Sequence, residues 1–121
     1  MRTEPFAADA LQRDAFLGGR VWIWQPLQGY RAGIDPVLLA ASVPAQAGQA
    51  VLELGCGAGP ALCCLGHRVA GLDLAGIELQ PAYAGLARRN LEENGLSGTV
   101  WTGDLRQPPP GMRARSFDHV I

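Results

Sequence analysis

The chain has 121 residues, of which 48% are hydrophobic and 17% charged, with a formal net charge of −1. That length suits one domain, and the composition excludes both a disordered chain and a membrane-spanning one, since no apolar run approaches the roughly 20 residues a transmembrane helix needs. All ten basic residues are arginine, and the near-neutral total offers no global electrostatic argument for nucleic-acid binding, which draws on basic surface.

The first 15 residues read as a polar lead-in, at most a frayed helix. Glu4, Asp9 and Asp14 and the lack of an apolar stretch argue against a signal peptide, so a cytoplasmic protein is expected. Residues 16–26 read as extended, with Gly18-Gly19 as a turn and Val21 to Trp24 β-branched and aromatic. Asp35 to Val43 is expected to be a helix, capped by Asp35, opened by Pro36 and stopped by Pro44. Ala50 to Leu54 is a short apolar strand. A glycine loop follows, and then a helix over Pro60 to His67. A second strand lies within Leu72 to Leu79. Pro81 to Asn94 is a helix that Gly95 closes. Tyr83, Leu86, Ala87 and Leu91 share its apolar face, with Arg88/Glu92 and Arg89/Glu93 as i,i+4 pairs. Thr99 to Thr102 is a third strand, Gln107 to Gly111 a proline-rich loop, and Phe117 to Ile121 the start of a fourth strand. Alternating strands and helices predict an α/β fold with a parallel sheet.

The candidate site is the run Glu53-Leu54-Gly55-Cys56-Gly57-Ala58-Gly59. A strand entering such a loop before a helix brings backbone and helix-terminal N–H groups close to a nucleotide-type ligand. Pro60 stands where a dinucleotide fingerprint wants Gly or Ala. Glu53, two residues before the first glycine, suits a cationic head and would repel a pyrophosphate. Glu78 ends the second strand about 20 residues on, where an acid grips ribose hydroxyls. Asp73 competes for that role if the strand ends earlier. Asp104 follows the third strand and can accept from an adenine amino group.

Cys56, Cys63 and Cys64 show no metal-ligand spacing, and Cys63 and Cys64 read as small buried residues. His67 and His119 read as structural, Arg113 and Arg115 as solvated loop charges. Trp22 and Trp24 share one strand face and are expected to pack against the rest of the domain in preference to stacking on a base.

The segment Val51-Leu52-Glu53-Leu54-Gly55-Cys56-Gly57-Ala58-Gly59 resembles the first cofactor motif of class I S-adenosylmethionine-dependent methyltransferases. Phe16 to Arg20, Gln28 to Ala41, Gly76 to Pro81 and Ala87 to Asn90 resemble the bacterial tRNA adenine-N6 methyltransferases that act on a valine tRNA. The resemblance implies a Rossmann-like fold, S-adenosylmethionine as cofactor, tRNA as partner, and neither metal nor membrane. It divides the chain into an N-terminal lid segment (1–45) and a cofactor-binding half domain (46–121). It implies that Glu53, Gly55, Cys56, Gly57, Ala58 and Gly59 line the methionine end. Glu78 would hold the ribose, with Leu79 next to it among the cofactor-binding residues, Asp104 with Leu105 beside it would meet the adenine, and Tyr30, Arg31 and Asp35 would form a lid. In that family the fourth strand runs into an Asn-Pro-Pro-Tyr-type loop that orients the target amine. This sequence reads as an N-terminal piece that stops before it, inactive alone, with its fourth strand an uncovered sheet edge. No catalytic residue is assigned. Methylation of protein glutamine or ribosomal RNA guanine, a non-catalytic cofactor-binding remnant and a nicotinamide-binding domain stand as alternatives.

Overall fold

A computed structural model describes residues 2–121. A hairpin comes first: β1 (Leu11–Phe16) and β2 (Val21–Pro26) pair antiparallel, from Leu11 opposite Pro26 to Phe16 opposite Val21. The tight turn between them holds Leu17, Gly18 and Gly19 at φ of 53°, 65° and 87°, a conformation that favours glycine. The strand β1 corrects the expected lead-in. Half of its residues are exposed and only Phe16 is buried, so it lacks an apolar stripe and owes its form to backbone pairing with β2.

Helix α1 (Asp35–Ser42) follows. Strand β3 (Ala50–Leu54), α2 (Pro60–Arg68), β4 (Asp73–Glu78), α3 (Pro81–Glu93), β5 (Gly98–Thr102), α4 (Pro110–Arg113) and β6 (His119–Val120) complete the described chain. The four later strands form one parallel sheet in the order β5-β4-β3-β6, as an α/β Rossmann-like fold requires. Strands β3 and β4 are central and bury three and four consecutive residues, the pattern of strands covered on both faces. Helix α1 packs on α2, α2 on α3, and the hairpin on α2 and α3. Val21, Ile23, Val51, Leu62, Leu65, Leu74 and Ile77 fill the core between these layers.

Four further details differ from expectation. The N-cap of α1 is Ile34, with no side-chain cap bond, and Asp35 is its first helical residue. Arg88 donates to the Val100 carbonyl and Thr102 Oγ1 in place of pairing with Glu92, because a backbone acceptor on the neighbouring strand lies within its reach. Arg89 does pair with Glu93, at 2.6 Å. Within the proline-rich stretch, Pro110 opens α4, since proline suits a first helical turn. The fourth strand is shorter than expected. It lies at the outer position of the sheet, with Val120 exposed. No helix is long and apolar enough to cross a membrane among the described residues.

Candidate functional site

Strand β3 delivers Glu53 and the glycine loop to the carboxyl end of the sheet, where ligands of open α/β folds sit. Gly55, Gly57 and Gly59 have φ of 69°, 57° and 84°. At Gly55 and Gly57 an added Cβ would meet nothing within 4 Å, so the demand there is conformational. At Gly59 it would also lie 3.3 Å from the Ala87 Cβ of α3. The loop hangs from β4: the N–H groups of Gly55 and Cys56 both donate to the Ile77 carbonyl. Gly76 opposes Glu53 in the sheet, and a Cβ on it would strike Cys56 Sγ at 2.8 Å. This explains a glycine in mid-strand.

Glu78 ends β4 and accepts from two backbone groups. Its Oε1 takes the Gly57 N–H at 3.0 Å and its Oε2 the Gln80 N–H at 2.9 Å. A carboxylate has about four lone-pair sites, so each oxygen keeps capacity for a ligand hydroxyl. Asp73 opens the same strand, at the end away from Glu78, and binds Arg115. Asp104 lies two residues beyond β5. Arg106 grips it with side chain and backbone N–H, which holds its carboxyl down near about 2. Leu79 and Leu105 are exposed.

A cavity of about 220 Å³ opens beside the loop. It brings together Tyr30, Asp35, Glu53, Gly55, Cys56, Gly57 and Ala58. Arg31, Gly59, Glu78, Leu79, Asp104 and Leu105 are not in its wall. Arg31 instead pairs with Asp14 of β1 at 2.8 Å. Gln25 and Tyr83 line the cavity too and were not expected at the site. Gln25 donates to Asp14 and accepts from the Ala32 N–H, which seats the segment after β2. The Tyr83 hydroxyl accepts from the Tyr30 N–H and donates to the Tyr30 carbonyl. A glutamine on the inward face of β2, in alternation with Val21 and Ile23, was the available signal for the first.

Glu53 is the chemically unusual member. It is 8% exposed, and its Oε1 is buried without a partner among the described residues. Burial, helped by the nearby Glu78 charge, pushes its carboxyl up to about 8. Burial of an unpaired carboxylate is strongly unfavourable, so this carboxyl keeps its proton near neutral pH unless a cation or a donor meets it. The three thiols offer no nucleophile: all are buried, and burial pushes Cys63 up to about 12 and Cys64 to about 11, with Cys56 also raised. No cluster of metal-ligating side chains occurs among the described residues. Trp24 donates from its indole to Glu93 and lies under Arg89, so it packs on α3, while Trp22 lies beside Arg13.

A family described as Methyltransferase domain matches residues 51–121. Over 78 residues the chain is 38% identical to the ribosomal RNA small subunit methyltransferase C of Aeromonas hydrophila subsp. hydrophila, covering 64% of this chain and 22% of that protein. The S-adenosyl-L-homocysteine complex of a SAM-dependent methyltransferase from Thiobacillus denitrificans is 29% identical. It has a TM-score of 0.52 over 60% of this chain and 30% of that one. The Pyrococcus abyssi tRNA (uracil-54, C5)-methyltransferase, also with S-adenosyl-L-homocysteine, is alike in fold: 20% identity and a TM-score of 0.68 over 97% of this chain and 29% of that one. The chain spans under a third of the length of each of these relatives.

Proposed function

This chain belongs to the methyltransferase-domain family, and we propose that it binds S-adenosylmethionine at the glycine loop and serves methyl transfer to an amine nitrogen of an RNA base. One observation carries this reading: the buried Glu53 carboxyl, with an unpartnered oxygen, lines the cavity beside the loop. The α-ammonium group of the cofactor is the cation such a carboxyl needs. A pyrophosphate brings no cation to meet it, which disfavours a nicotinamide dinucleotide.

When bound, the cofactor supplies a methyl group on a positively charged sulfur, electrophilic toward an amine nitrogen. The chain's own residues bind, orient and exclude water. Glu53 holds the ammonium end, and the positive-φ loop Gly55–Gly59 lets backbone approach the methionine portion. Glu78, already fixed by Gly57 and Gln80, receives the ribose hydroxyls, with Leu79 beside it. Asp104 and Leu105 face the adenine. Tyr30 and Asp35 cover the cavity mouth, and Arg31 pins that cover to the hairpin through Asp14. Every one of these positions lies at or beyond the carboxyl ends of β3, β4 and β5, or on the segment that precedes β3.

The acceptor is adenine N6 in a tRNA, on the resemblance of the N-terminal segment and Ala87 to Asn90 to those enzymes. A second reading keeps the ribosomal RNA guanine alternative, with the RNA supported by the relative from Aeromonas, named as a ribosomal RNA small subunit methyltransferase. Incubation of the chain, joined to a segment carrying the Asn-Pro-Pro-Tyr-type loop it is expected to need, with methyl-tritiated S-adenosylmethionine and either tRNA or small-subunit rRNA, followed by nucleoside analysis, separates them. N6-methyladenosine in tRNA is expected. Labelled guanosine in rRNA would replace the first acceptor by the second, and label in neither RNA would refute both.

A further inference from the structure

Helix α3 treats the N-terminal segment in an unusual way. Asn90, and Asn94 just past its last turn, each grip both backbone groups of one residue of β2. Asn90 Oδ1 accepts the Trp24 N–H at 2.9 Å and Asn90 Nδ2 donates to the Trp24 carbonyl at 3.0 Å. Asn94 does the same for Trp22, at 3.0 and 2.7 Å. Four helical residues rise about 6 Å and two strand residues about 6.8 Å, so alternate residues of β2 meet successive turns of α3. Two side-chain amides thus serve the edge of β2 that β1 leaves unpaired, where a third strand would otherwise pair.

Asn90 reaches one group further. Its Nδ2 also donates to the Ala58 carbonyl at 2.8 Å, and the side chain is fully buried. Ala58 stands between Gly57 and Gly59, both at positive φ. Ala87, one turn before Asn90, lies so near that a Cβ added at Gly59 would sit 3.3 Å from its own. The amide is the one group that can do all three jobs: it needs an acceptor for Trp24 and two donors for two carbonyls. An aspartate loses the donors, and an aliphatic side chain loses everything.

We propose that Asn90 is a positioning residue for the cofactor loop: through Ala58 it sets the loop's peptide orientation and couples that orientation to the seating of β2 and the lid segment that follows. This rests on the loop being the S-adenosylmethionine site. Asn94 is the internal control, because it clasps β2 without touching the loop. Titration calorimetry with S-adenosylhomocysteine should show Asn90→Ala weakening binding about tenfold, the equivalent of one lost hydrogen bond of about 1.4 kcal/mol. Asn94→Ala should stay within about twofold, although it loses a comparable clasp. Equal weakening by the two variants would overturn the proposal, because the clasp alone would then account for it.

Amide hydrogen exchange of the ligand-free protein gives a readout that does not depend on cofactor identity. Exchange at Gly59, whose N–H donates to the Cys56 carbonyl, should accelerate in Asn90→Ala and not in Asn94→Ala; unchanged exchange in the first would refute the loop role. If the wild type binds no S-adenosylhomocysteine, the cofactor assignment fails while exchange still judges Asn90. Should Asn90→Ala not fold, the wild type suffices. Its Asn90 side-chain amide resonances should shift on adding S-adenosylhomocysteine while those of Asn94 hold still, and an unmoved Asn90 would overturn the proposal.

Discussion

Replacing Glu53 by glutamine should flatten the pH dependence of stability between about pH 4.5 and 8. In the unfolded chain this carboxyl titrates at its ordinary value of 4.5; in the folded chain burial and the Glu78 charge push it up to about 8. Between those values the folded state holds a proton that the unfolded state has released, so stability falls as pH rises. A shift from 4.5 to about 8, at 1.36 kcal/mol per unit, amounts to about 5 kcal/mol. That is a large share of the 5–15 kcal/mol typical of a whole domain, so it should be easily measured. The other shifted carboxyls and thiols act outside the window. Asp104 and Glu93 are held down by their hydrogen bonds, and their contribution is complete above the ordinary carboxylate range. The buried thiols act only above their ordinary value of 9. Urea unfolding at pH 5 and pH 8.5 is the assay. The wild type should lose about 4 kcal/mol across that interval, since the unfolded carboxyl is already mostly ionised at pH 5, while Glu53→Gln, isosteric with the protonated acid, should lose little. Equal slopes for the two proteins would refute the reasoning.

The same carboxyl predicts that cofactor binding releases a proton below about pH 8: calorimetry in buffers of different ionisation enthalpy should show release in the wild type and none in Glu53→Gln. Glu78→Ala should weaken S-adenosylhomocysteine binding about 10- to 100-fold, the equivalent of hydrogen bonds to a charged group, whereas Asp73→Ala should leave it unchanged. Gly57→Ala, in open space at φ 57°, should destabilise by about 1–2 kcal/mol through backbone strain alone. Gly59→Ala should cost more in the same thermal unfolding measurement, because it adds a close contact with Ala87.

The parts legible in the sequence were those with strong local punctuation. The three glycines, Pro60, Pro81 and Gly95 mark turns and helix ends that hold in any context, and the apolar runs of β3 and β4 read directly as covered strands. Strand β1 was illegible because its stability comes from a partner strand and not from its own pattern. The Arg88 bond to Val100 was missed for a related reason: it joins residues of different elements, where only i,i+4 spacing can be read from sequence. Asp35 illustrates an ambiguity of position, since a one-residue shift of the helix start turns a cap into a first-turn residue. In the site, the acids of β3 and β4 were visible by their distance from the glycines, but the isolation of Glu53 was not. The clasp of Asn90 was hidden as well: a single buried amide on an otherwise regular helix face carries no periodic signal, although Asn90 lies in a segment that resembles the tRNA enzymes.

The central claim is that the glycine loop and Glu53 hold S-adenosylmethionine. Calorimetric titration of the wild-type chain at pH 8 with S-adenosylmethionine, and separately with NAD, tests it most directly. One saturable site for S-adenosylmethionine, weakened in Glu53→Gln, with no binding of NAD, is the predicted result; binding of NAD without S-adenosylmethionine would contradict it.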